Sequence, residues 1–199
     1  MPTAEVPAQD IQQKRKKPIS KREAVKLFIS SLTPLQASFR SARGVNTPLI
    51  AITSSDPAIT ITTIMEATNE PRMKDASEVA CTPDGAPIYD QVPAVQWDVV
   101  RGLQPVNQLG ILSIAQVLGL PIGDNPNIEN LEKDVRKKGS LMVNPSEMLR
   151  KSESLPPNTI VFMLQAHRYL EGNDSNMKIV AQGIWTLRDE FKTTIDSWL

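Results

Sequence analysis

Residues 94–119 read AVQWDVVRGLQPVNQLGILSIAQVLG and carry two patterns side by side. The first part, 94–100, is rich in valine and holds Trp97. β-Branched and aromatic side chains suit a pleated, half-buried surface, so a strand is predicted there. Leu109, Leu112, Ala115 and Gln116, with Leu118 just before Gly119, then predict a helix closed by a glycine cap. That helix is apolar nearly all round, which places it in the core. Together they set the expected class as α+β: a single compact domain over residues 19–199 with short strands, several short helices and a C-terminal β-hairpin, preceded by a disordered basic N-terminal arm, 1–18.

Toward the C-terminus, residues 126–138 predict a second helix with Ile128, Leu131 and Val135 inward. Glu129 and Glu132 come early, and Arg136, Lys137 and Lys138 come late, just before Gly139, an order that complements the helix dipole. Asn144-Pro145-Ser146-Glu147 opens a third short helix, with proline at the first helical position. After a break over 154–157, the apolar runs 159–170 and 177–187 flank Glu171-Gly172-Asn173-Asp174 and predict the β-hairpin. Leu187, Phe191, Ile195 and Trp198 fall near helical spacing and predict a short terminal helix packed on the body.

Toward the N-terminus, residues 69–94 hold many charges, Pro71, Pro83, Pro87 and Pro93, and an Asp84-Gly85 turn. A long, mobile surface loop with room for one short element is predicted. Leu49-Ile50-Ala51-Ile52 and Ile59-Thr60-Ile61-Thr62-Thr63-Ile64, joined by Ser54-Ser55-Asp56-Pro57, predict a pair of strands. Ser20-Lys21-Arg22-Glu23 matches a capping box, in which the Ser hydroxyl and the Glu carboxylate satisfy otherwise unpaired amides of the first turn. Val25, Phe28, Ile29 and Leu32 follow at i, i+3, i+4 and i+7 as one apolar stripe, a partner-docking face, and Pro34 closes the helix. The stripe can pack on its own domain, the favoured outcome, or dock into a neighbour's groove, or lie on an anionic bilayer. Residues 1–18, rich in Pro, Gln, Ala and Lys, show no apolar period, which predicts disorder.

The formal net charge of zero hides an asymmetry. Residues 12–26 hold seven basic side chains (Lys14, Arg15, Lys16, Lys17, Lys21, Arg22 and Lys26) against one acid, Glu23, while the body beyond carries a net −4. A basic arm on an acidic body can engage nucleic acid, an anionic membrane, an acidic protein or a neighbouring copy. No aromatic interrupts the tract, so contacts would be to phosphate and blind to sequence. Lys14-Arg15-Lys16-Lys17-Pro18 with Lys21-Arg22 also fits a nuclear-import signal read by an import receptor. No apolar run approaches the roughly 20 residues needed to span a bilayer, the N-terminal residues lack the apolar core of a signal peptide, and Cys81 is the only cysteine. The expected setting is cytoplasm or nucleus, with no secretion, which leaves the sequon Asn173-Asp174-Ser175 idle.

No set of residues spells out a reaction, so no enzyme activity, catalytic residue, metal or cofactor is expected. His167 and Cys81 are the only histidine and cysteine, too few for a zinc site. His167 is expected on the surface or in packing, and Cys81 as an ordinary thiol. The glycines are scattered, with no phosphate loop, dinucleotide fingerprint or hydrolase elbow. Asp189-Glu190 is explained by exposed charge at the start of a helix.

A basic arm ahead of a mixed α+β body of this size resembles the layout of matrix proteins of rhabdovirus-type negative-strand viruses, and somewhat that of small viral coat proteins. Residues 14–26 and the mixed pattern after Ser41 carry the resemblance. It implies a virion structural protein that self-associates as a homo-oligomer and binds nucleocapsid and the inner membrane surface. Pro2-Thr3-Ala4-Glu5 departs from the Pro-Thr-Ala-Pro budding form and no Pro-Pro-x-Tyr occurs, so recruitment of host sorting is not implied. The alternatives are a coat or nucleocapsid protein that wraps RNA directly, against which the zero charge balance argues, and an adaptor with a nuclear-import tail.

Overall fold

The computed structural model describes residues 19–45, 47–75, 78–123, 126–170 and 174–195. Within it the valine-rich run around Trp97 forms β3 (Ala94–Asp98), as the sequence predicts. β4 (Gly102–Pro105) pairs antiparallel with it, Trp97 opposite Leu103, and β5 (Ile160–Met163) pairs parallel on the other side, Trp97 opposite Met163. The sheet order is β4-β3-β5. Alternation assigns the two faces. Val95, Trp97, Val161 and Met163 join the main core, while Ala94, Ile160 and Phe162 join a second cluster with Ile61 and Met65. Both faces are therefore covered, and Ala94 and Val95 are equally inaccessible.

The main core is closed by α4 (Gln108–Val117), α5 (Ile128–Gly139), α6 (Pro145–Ser152) and α8 (Ser175–Ile195). The predicted helices at 109–118, 126–138 and from Asn144 are all present. Gly119 adopts φ 62° just beyond α4, a left-handed value that glycine reaches without strain. Asn107, Asn127 and Asn144 cap their helices by accepting from first-turn N–H groups. Two glycines let backbones meet. A Cβ on Gly102 would strike the Gly139 carbonyl, and one on Gly139 would strike the carbonyl of Leu103. Across this contact the Trp97 indole N–H donates to the Met142 carbonyl at 2.6 Å.

The C-terminal β-hairpin is not formed. β5 covers only the start of its first arm; α7 (His167–Leu170) follows, and the second arm lies within α8. Among the described residues of α8, Val180, Ile184 and Leu187 are buried, spaced by four and three, and that period outweighs the β-branched content. β5 instead reaches β3 from a distance, as a parallel strand must, across the long crossover that holds α4, α5 and α6. Helix at the C-terminus is present to Ile195, and Trp198 lies outside the described residues.

The strand pair over 49–64 is also overturned. Residues 49–52 are irregular, and α3 (Pro57–Ala67) occupies the second run. The supposed turn is its start signal: Asp56 accepts from the N–H groups of Ala58 and Ile59, and Pro57 stands at the first helical position. Thr60, Thr62 and Thr63 donate back to the carbonyls four residues earlier, which satisfies their hydroxyls within the helix. Pro34, predicted to close a helix, opens α2 (Pro34–Gly44) behind a Thr33–Gln36 capping box. The predicted loop 69–94 is a paired ribbon, β1 (Glu70–Pro71) against β2 (Tyr89–Asp90) with further bridges Met73–Val79 and Cys81–Pro87; the Asp84-Gly85 turn is present, Gly85 at φ 84°.

Between β3 and β4 the Asp98 carboxylate accepts from the Val100 and Arg101 N–H groups, at 2.9 and 2.7 Å, and from the Arg101 guanidinium at 2.6 Å. Burial works against the charge, but these bonds outweigh it and hold the carboxyl below its ordinary range. A depressed aspartate stabilises fully above its unfolded pKa of about 3.9 and loses that contribution as pH falls through the folded value. Asp98→Asn should therefore lower stability at neutral pH and flatten the acid limb of a stability–pH curve measured by urea denaturation; an unchanged acid limb would refute this role. Trp97→Phe should cost about 2–4 kcal/mol by the loss of ring volume and of the donor to Met142, and Gly139→Ala about 1–3 kcal/mol by overpacking. Urea denaturation followed by circular dichroism measures both, and losses below about 0.5 kcal/mol would contradict the geometry.

Candidate attachment surface

The capping box at Ser20 forms as its spacing predicts. Ser20 Oγ accepts from the Glu23 N–H at 3.3 Å, and the Glu23 carboxylate accepts from the Ser20 N–H at 3.1 Å. It starts α1 (Lys21–Ser30). Just ahead of it the chain is stitched to the ribbon, Ser20 bridging Glu78 and the Ile19 carbonyl accepting from the Val79 N–H at 3.2 Å. Lys14, Arg15, Lys16 and Lys17 lie outside the described residues, as does the rest of arm 1–18. What the structure fixes is where that segment joins the body.

α1 packs on its own domain. Phe28 meets Tyr89 of β2 with ring centroids 5.2 Å apart, and Ala24 is fully buried. The inward face is rotated from the predicted stripe: Ala24 leads it, Val25, Phe28 and Leu32 are half-buried, and Ile29 points out, 52% exposed. Lys21, Arg22 and Lys26 are all exposed and make no ion pair among the described residues. Arg22, Lys26 and Ile29 stand at i, i+4 and i+7, so two cations and one aliphatic side chain share a line on the outer surface.

Sequence reasoning missed the group that seats α1. Arg40, on α2, lies over the Phe28 ring at 5.1 Å, donates to the Ala67 and Asn69 carbonyls at 3.2 and 3.4 Å, and pairs with Glu70 at 3.2 Å. It thereby joins α1, the end of α3 and β1, and its charge faces the negative end of the α3 dipole. One turn earlier the buried Gln36 donates to the Thr63 carbonyl at 3.1 Å and to Glu66 at 2.9 Å. The Thr33-Pro34-x-Gln36 capping signal would have disclosed α2, but nothing local marks Arg40's partners. On the ribbon, Arg72 and Asp90 form an exposed ion pair; the hydrogen bond that the guanidinium donates to Asp90 raises the Arg72 pKa further, and solvent limits what the pair contributes.

His167 is exposed at the start of α7, and the exposed Cys81 donates its thiol to the Val79 carbonyl at 3.5 Å. Among the described residues no group of three or more His, Cys, Asp or Glu side chains is arranged to hold a metal, and no helix is long and apolar enough to cross a membrane. No family model matches the chain, and no curated protein or solved structure shows significant similarity to it.

Arg40→Met should destabilise the fold by about 2–3 kcal/mol, with faster amide exchange in α1 than in α4 or α5. Arg40→Lys should recover little, because an ammonium cannot reach three acceptors and cover a ring together. Equal exchange rates in α1 of the wild type and Arg40→Met would show that α1 is seated by other contacts.

Proposed function

We propose that this chain is a non-enzymatic structural protein, matrix-like in layout, whose body self-associates and whose basic N-terminal segment attaches it to an acidic partner: a nucleocapsid, nucleic acid or an anionic membrane surface. The supporting observation is the division of labour on α1. Its inner side is committed to the ribbon and to Arg40, while Lys21, Arg22 and Lys26 stay exposed and unpaired on the outside. These three cations continue the run Lys14, Arg15, Lys16 and Lys17 in sequence. A helix that needs no partner for its apolar face is free to present charge, and the seven cations together form the attachment determinant.

Each basic residue near an anionic surface contributes about 1 kcal/mol. Arg22→Gln with Lys26→Gln should therefore weaken binding to phosphatidylserine vesicles or to single-stranded RNA roughly thirtyfold without changing thermal stability. Deleting residues 1–18 should leave a folded domain that no longer binds, and added salt should weaken the full-length interaction. Cosedimentation and filter binding measure these effects. Undiminished binding by both variants would refute the attachment reading, and nuclease-protected RNA at fixed stoichiometry would favour a coat protein over a matrix.

A further inference from the structure

The C-terminal half of α2 carries two arginines with opposite fates. Arg40, Arg43, Gly44, Ala67, Thr68 and Glu70 line an open cleft of about 280 Å³. Arg40 is fully engaged by two backbone carbonyls, the Glu70 carboxylate and the Phe28 ring. The Arg43 side chain makes no hydrogen bond among the described residues, and its Nη1 is buried without a partner. Burial lowers the Arg43 pKa, Glu70 acts to raise it, and the Arg40 charge adds to the lowering. A guanidinium offers only donors, so whatever meets it in the cleft has to be an acceptor.

Charge and donor supply narrow that acceptor. Glu70 is already bonded to Arg40, so two arginines and one glutamate leave a single positive charge at the cleft. Thr68 is no spare donor, because its hydroxyl is given to the Met65 carbonyl at 2.8 Å. A monoanion with two oxygens in one plane matches a lone guanidinium edge, whereas a phosphate dianion would overcompensate it. Gly44 leaves the entrance clear: a Cβ there would meet nothing within 4 Å.

We propose that this cleft is a carboxylate-binding site in which Arg43 is the recognition residue, receiving either a small organic acid or an Asp or Glu side chain of a second copy of this chain. It is independent of the attachment reading, since Lys21, Arg22 and Lys26 take no part. Two variants test it in the full-length protein. Arg43→Met keeps the stem and removes the donors; Gly44→Leu keeps Arg43 and obstructs the entrance.

Titration with acetate and propionate against chloride at matched ionic strength, followed by calorimetry and thermal melting, should show saturable carboxylate-specific binding in the wild type. Both variants should weaken it at least about tenfold. Without added carboxylate, and at a dilution where sedimentation shows a monomer, Arg43→Met should melt no lower than the wild type, because a half-buried guanidinium with an unpaired Nη1 has been removed; a lower melting temperature of the monomer would mean that Arg43 already has a partner within its own chain, and would overturn the proposal. Sedimentation velocity separates the sources. Oligomers dispersed by acetate and absent in both variants identify the second copy, while carboxylate binding with unchanged sedimentation identifies a small acid. Neither carboxylate binding nor altered sedimentation in any comparison would overturn the proposal.

Discussion

The Trp97 indole fixes the body of this protein. It sits at the middle of the sheet, with Leu103 as its partner on one side and Met163 on the other, its ring 5.8 Å from Tyr169 and its N–H on the Met142 carbonyl. Most of the remaining core is Leu, Ile, Val, Ala and Met, side chains whose packing is tolerant of exchange. A directional hydrogen bond from a fully buried ring is not tolerant in that way. It sets the height of the 140–143 connection relative to the sheet, and so where α5 ends. The facing glycines, Gly102 and Gly139, follow from it, because that height brings the last turn of α5 against the strand backbone.

The second face of the sheet passes this order outward. Ala94, Ile160 and Phe162 meet Ile61 and Met65, which seats α3. α3 in turn offers its Thr63 and Ala67 carbonyls to Gln36 and Arg40, which seat α2, and Arg40 with Tyr89 seats Phe28 and α1. The chain from Trp97 to α1 thus alternates apolar burial with polar contacts that each leave a defined orientation. The basic line on α1 is held by this sequence of contacts to the same core that closes the C-terminal helices.

Local signals in the sequence carried the elements whose stability is decided locally. The caps at Ser20 and Asn144, the glycine after α4 and the charge order of α5 are short-range features, and each has its structural counterpart. The class was legible from the strand at Trp97 and the apolar helix after it. The failures arose where β-branched composition was weighed above start signals and spacing, at Asp56-Pro57 for α3 and at Val180, Ile184 and Leu187 for α8. The pairing of β5, whose strand the apolar run from Thr159 does predict, was hidden for another reason: its partner lies more than sixty residues away, across a crossover, so no turn announces it. At the candidate surface the cations were legible by composition, but not what holds them. Phe28, Arg40, Glu70 and Tyr89 come together only through tertiary contacts, and Ile29 was placed on the wrong side because Ala24, too small to draw notice, is the residue around which α1 turns its face inward.

Seating α1 by its apolar side has an electrostatic consequence for the proposed attachment. Arg22 and Lys26 are about 6 Å apart along the helix axis, closer than a Debye length of about 8 Å at physiological ionic strength. They therefore act on a partner jointly, and because the helix is fixed they do so without the full ordering cost that seven cations on an unstructured segment would carry. The body beyond them is net negative, so in the proposed self-association the same cations would also be drawn to neighbouring copies. On the proposed reading, contact between copies and contact with an acidic partner draw on one set of charges and compete for it, which makes the state of assembly sensitive to how much of that partner is present.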